Sequence, residues 1–104
     1  MRTFNANDPF ILTERPTLNV TFSLSDNKTL WIDETDRTDD STTYLVKMTD
    51  DSNRTIARVA IRIPGDFNEE RVIRTACNAI AMTCRAMARK WIGYAAAIET
   101  LPNL

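Results

Sequence analysis

Eight residues of types that bind nucleic acid share one parity of the strand-like segments: Asn19, Thr21, Ser23, Trp31, Lys47, Thr49, Arg58 and Arg62. Side chains alternate faces along a strand, so residues of one parity lie on one side of a sheet. Hydroxyls and an amide can hydrogen-bond sugars and base edges. Cations take phosphates, and an indole stacks on a base splayed out of a helix. The chemistry open to this set is binding of single-stranded or looped RNA. The competing reading is an ordinary solvated sheet face. Trp31 is unusual on a surface that meets only water.

Catalytic groupings are missing from the sequence. It contains no histidine, which removes the usual general base, the usual zinc ligand and every Ser-His or Cys-His pair. Gly65 and Gly93 are the only glycines, so no phosphate-cradling loop can be built. Cys77 and Cys84 lie two helical turns apart, ~10.5 Å, which is too far for a disulfide. They read as small core residues. Residues 33–42 are acidic and polar, with Asp33, Glu34, Asp36, Asp39 and Asp40 interrupted by Arg37. A calcium loop would need a glycine at its sharp bend, and none is present, so a solvated loop is the better reading. The sequence predicts no enzyme, no cofactor and no metal site.

At 104 residues, 43% hydrophobic and 26% charged, the chain reads as one globular domain spanning 1–104. Thirteen Lys and Arg against 14 Asp and Glu leave a net charge of −1, which argues against a general nucleic-acid coater but not against a local basic patch. No apolar run suits a signal peptide or a membrane span, so a membrane partner is not expected. The expected compartment is a reducing cytoplasm.

The elements that must position these residues are four strands and a helix. Residues 1–16 form an irregular arm, with Phe10, Ile11 and Leu12 as a candidate edge strand. In 18–24, Leu18, Val20, Phe22 and Leu24 alternate with polar residues, which predicts a strand with one buried face. Residues 29–33 are expected to pair with it through turn chemistry at Ser25, Asp26, Asn27 and Lys28. Strands follow at 43–49 and 54–63. Residues 66–101 form the C-terminal helical region. It starts at Asp66 with Glu69 three residues on, as in a capping box. The long helix runs to about residue 92, Gly93 marks a break, and 94–100 is a short continuation. Its expected apolar stripe is Ile73, Cys77, Ile80, Cys84, Met87 and Trp91, in steps of four and three. Val72, Ala76, Ala81 and Ala88 widen it. The fold class is α+β: an antiparallel sheet of four to five strands followed by one long helix, or one kinked near 81–83.

Geometry then points to a dimer. A 27-residue helix runs ~40 Å, whereas four strands make a sheet only ~19 Å across. The stripe continues beyond the sheet, so Ile73, Cys77, Ile80, Cys84, Met87 and Trp91 are expected at the interface of an intertwined homodimer. A helix kinked back onto its own sheet would avoid the need for a partner.

One junction resembles a known family. Ile56-Ala57-Arg58-Val59-Ala60-Ile61-Arg62-Ile63, then Asp66-Phe67-Asn68-Glu69-Glu70-Arg71 and Val72-Ile73-Arg74-Thr75, is similar to the last strand and first helix of coat proteins of single-stranded RNA bacteriophages, the leviviruses. The ending from Ala97 to Leu104 also resembles the tail of one branch. The resemblance implies an antiparallel sheet, C-terminal helices that clasp a partner, dimers that assemble into an icosahedral shell, and a sheet face that meets single-stranded RNA. It implies a place in the virion, assembled in a bacterial cytoplasm. The alternative is a small phage or bacterial inhibitor that binds another protein through residues 33–40 or an open sheet edge.

Overall fold

The computed structural model describes residues 15–101. The candidate strand at Phe10 to Leu12 lies outside them. Four antiparallel strands run in sequential order: β1 (Asn19–Leu24), β2 (Lys28–Arg37), β3 (Ser41–Thr49) and β4 (Thr55–Pro64). One helix follows, α1 (Glu69–Glu99), giving an α+β layout. Among the described residues no helix is long and apolar enough to cross a membrane.

Local chemistry sets the turns. Asp26 and Asn27 both have φ near +60°, as the tight turn between β1 and β2 requires, and Asx residues adopt that region at low cost. The next hairpin closes on Asp50, whose carboxylate accepts the backbone N–H groups of Ser52 and Arg54. These bonds hold its pKa below the ordinary aspartate value. Gly65, at φ +89°, supplies the left-handed residue that turns β4 toward the helix. Its N–H donates to the Asp40 carbonyl.

Apolar side chains of one parity make the core. Leu30, Ile32, Tyr44, Val46, Ala57 and Ile63 are buried under Val72, Ala76 and Ile80 of α1. Ile32 is 0% exposed. The helix stands over β4 and, less extensively, β3. Among the described residues, the far side of the apolar face is therefore uncovered. Leu18 is buried, but Phe22 and Leu24 are 39% and 41% exposed, not buried as the alternation predicts. Alternation shows which face a residue is on; it does not show whether a helix reaches that face.

Several further expectations differ from the structure. Residues 33–37 are not loop: β2 continues to Arg37 through a bulge at Thr35, and only residues 38–40 connect to β3. The helix is capped by Asn68, not Asp66. The Asn68 side chain accepts the Arg71 N–H at 2.9 Å. The helix also runs unbroken through 81–83 and through Gly93, to Glu99. A glycine costs a helix about 1 kcal/mol, too little to break one flanked by good helix formers. Finally, the sheet-facing line of α1 is Val72, Ala76 and Ile80. It lies about 60° around the axis from the centre of the expected stripe. Cys77 is exposed and Cys84 half-buried, so neither is a fully enclosed core residue.

One charged group is deeply placed. Glu34 occupies an inward position beside Tyr44, and its side chain is only 5% exposed. One carboxylate oxygen accepts from Arg15 Nη1 at 2.8 Å and from the Leu18 N–H at 3.1 Å; the other accepts from Arg37 Nε at 2.7 Å. Arg15 also lies over the Phe67 ring, 3.8 Å from its centroid. Burial alone would raise the Glu34 pKa, and next to the carboxylate it also pushes the Tyr44 phenol up. For Glu34 the hydrogen bonds from Arg37, Arg15 and Leu18 outweigh burial and hold the pKa at about 2.

That depressed value has a definite sign. The folded state favours the charged carboxylate, so its stabilisation is fully present above about 4.5, the ordinary value, and is lost as pH falls toward 2. Across that window this group removes up to about 1.4 kcal/mol of stability per pH unit. Chemical denaturation between pH 5 and 2.5 should show that decline. Glu34→Gln should be less stable at pH 7 and should show a weaker acid decline.

Candidate nucleic-acid interface

The face of the sheet opposite α1 is built by register. Thr21 pairs with Trp31, Trp31 with Lys47, and Lys47 with Arg58, so one row crosses all four strands. The row on one side is Asn19, Asp33, Leu45 and Ala60. The row on the other is Ser23, Thr29, Thr49 and Thr55. Arg62 lies beyond Ala60 and pairs with Thr43. The eight residues singled out from the sequence thus share one face. Asn19, Thr21, Ser23, Arg58 and Arg62 are exposed; Trp31 and Lys47 are half-buried.

Trp31 is fixed at the centre. Its indole N–H donates to the Thr49 hydroxyl at 2.8 Å, and the Lys47 ammonium stands 5.2 Å from the ring centroid. Thr49 is buried, so it positions the indole and offers nothing to a ligand. Arg62 Nε donates to the buried Ser41 hydroxyl at 2.8 Å, which orients the guanidinium on the face. Asn19 Nδ2 donates to Asp33 Oδ1 at 3.0 Å. Neither Ser41 nor Asp33 was singled out as a site residue from the sequence. Ser41 is recognisable only through a contact 21 residues away, and Asp33 stands where the expected strand 29–33 meets the expected acidic loop.

The electrostatics are unusual. Lys47 and Arg58 are directly opposed on adjacent strands, and like charges in that position destabilise a sheet. Among the described residues, the ion pairs are Arg15–Glu34, Arg37–Glu34 and Arg54–Asp50. Lys47, Arg58 and Arg62 take part in none of them. Among the described residues, three cations are therefore held on one face without carboxylate ion pairs: Lys47 beside the Trp31 ring, Arg58 next across the row, and Arg62 two rows along. That arrangement can bind a polyanion that carries flat rings.

Two other features offer no ligand site. A cleft of about 420 Å³ is lined by Arg15, Thr17, Glu34, Thr35, Asp36 and Arg37. Its guanidiniums are engaged with Glu34, so it is a structural joint. The acidic run provides no metal cage: among the described residues, no group of three or more His, Cys, Asp or Glu side chains could hold an ion.

No protein-family model, curated protein or solved structure matches the chain.

The opposed cations give a direct test. Arg58→Glu turns a repulsive cross-strand pair into an attractive one. It should stabilise the nucleic-acid-free protein by about 0.2–1 kcal/mol in low salt while weakening RNA binding. Urea titration and an RNA filter-binding assay on the same preparation would check both halves.

Proposed function

We propose that this is a structural coat protein of the levivirus kind, which dimerises, assembles into a closed shell and holds single-stranded RNA against the polar face of its sheet. The observation that carries the reading is the uncompensated Lys47–Arg58 pair beside Trp31. A fold keeps such repulsion at a cost in stability, and a phosphate chain relieves it. The strand-to-helix resemblance of residues 56–75 adds the family, and the α+β layout is compatible with it.

The dimer is supported by what one chain leaves uncovered. At 31 residues α1 is ~46 Å long, against a sheet ~19 Å wide. Beyond Cys84 the helix is exposed, with Trp91 at 65%. The four-three spacing of the expected stripe continues past Trp91 to Tyr94, Ile98 and Leu101, all exposed. Of the six residues expected at the interface, only Ile80 is buried within the chain. Among the described residues nothing covers Phe22 and Leu24 on the sheet, and no strand lies beneath the second half of the helix. Reciprocal exchange of helices between two copies supplies both at once. Burying a large apolar side chain stabilises by about 1.5–3 kcal/mol, so several such residues meet the cost of association.

Two experiments test the proposal. Recombinant protein should sediment as particles that contain nuclease-protected RNA. Arg58→Ser with Arg62→Ser should fold but package less RNA, and its salt dependence of binding should flatten by about one unit of slope per lost phosphate contact. A nucleic-acid-free monomer at all concentrations would end this reading. Separately, dissociated subunits should denature with a midpoint that rises with protein concentration, as a dimeric folding unit requires. A midpoint independent of concentration would remove the helix exchange.

A further inference from the structure

Asp33 is out of place on a phosphate-binding face. It sits in the row next to Trp31, on the same strand and the same face, ~6.8 Å along the chain. Its cross-strand neighbours are Asn19 and Leu45. One oxygen accepts from Asn19 at 3.0 Å. Among the described residues its other oxygen has no hydrogen-bond or ion-pair partner, nor has the Asn19 side-chain carbonyl. A carboxylate here repels every phosphate that Lys47 and Arg58 attract. It fits a nucleic-acid site only if it meets a base edge.

We infer that Asp33, held by Asn19, reads the Watson–Crick edge of an unpaired guanine stacked on Trp31. The chemistry is selective. Guanine presents two adjacent donors on that edge, N1–H and the 2-amino group, and a carboxylate accepts both. Adenine presents the N1 lone pair at the same place, and uracil one donor between two carbonyls, so each puts an acceptor against the carboxylate. The Asn19 side-chain carbonyl offers a further acceptor beside it. Trp31 provides the ring face but no preference, because every base has one. Lys47 and Arg58, across the row, take the flanking phosphates. The inference rests on the RNA-binding reading and adds a base preference to it.

The test uses the full chain, freed of nucleic acid, and fluorescently labelled oligouridylates with one central guanine, adenine or inosine. Fluorescence anisotropy should show the guanine strand binding on the order of tenfold more tightly than the adenine strand. Inosine, which lacks the 2-amino group, should fall between. Asp33→Asn keeps an acceptor for Asn19, so the sheet should be undisturbed. Its removal of a negative charge should tighten binding of every strand, but the guanine-to-adenine ratio should collapse toward one. Equal affinities in the unmodified protein, or a ratio unchanged in Asp33→Asn, would overturn the inference and leave RNA binding standing. Failure to bind any strand would overturn both. Free GMP binding as tightly as the guanine strand would assign the site to a mononucleotide, and so overturn the inference in its RNA form.

Discussion

A buried carboxylate clamped by two guanidiniums fastens the start of the described chain to its middle. Glu34 takes hydrogen bonds from Arg15, Arg37 and the Leu18 backbone. These contacts hold residues 15–18 against β2 before β1 begins, and they bring Arg15 over Phe67 at the entrance to the helix. The Leu18 carbonyl also accepts the Glu34 backbone N–H. The register of the first hairpin is thus fixed from both ends, by the Asp26–Asn27 turn and by Glu34. Every residue of the polar face on β1 depends on that register, because a slip of one position would carry Asn19, Thr21 and Ser23 to the opposite side.

The second constraint is a mismatch of lengths. The sheet gives α1 its main footing on β4 and β3, where Val72, Ala76 and Ile80 close the core. The small Ala76 lets the helix sit close to the strands. Farther along, the helix has apolar residues but no strands beneath them. At the other side, β1 has apolar residues and, among the described residues, no helix above. The described residues have a longest extent of 76 Å against 28 and 20 Å in the other directions, which reflects how far the helix projects.

Much of this was legible in the sequence, for local reasons. Alternation marks the strands, and Asp66 with Glu69 three residues on marks the start of the helix to within one turn. Parity alone grouped the eight polar-face residues. What escaped was non-local. The second half of β2 resembles a solvated acidic loop because its inward residue is an acid, and of the two guanidiniums that make its burial tolerable one, Arg15, is 19 residues away. A four-three stripe does not show which part of the helix meets its own sheet, and the sheet-facing line lies to one side of it. The opposition of Lys47 and Arg58 needed a register, and so did the place of Asp33 next to Trp31.

The open edge of β4 has one more consequence. Thr55–Pro64 is the last strand of the sheet, so its outer backbone groups have no strand to pair with among the described residues. Such an edge is a template for uncontrolled stacking. Arg58 and Arg62 straddle Ala60 on one face of this strand, so two copies meeting antiparallel about Ala60 would set guanidinium against guanidinium. The repulsion is screened over about 10 Å at 0.1 M salt and weakens further as salt rises. Aggregation through this edge is therefore governed by ionic strength. Dilute buffer should keep copies apart, and concentrated salt should let the edges meet.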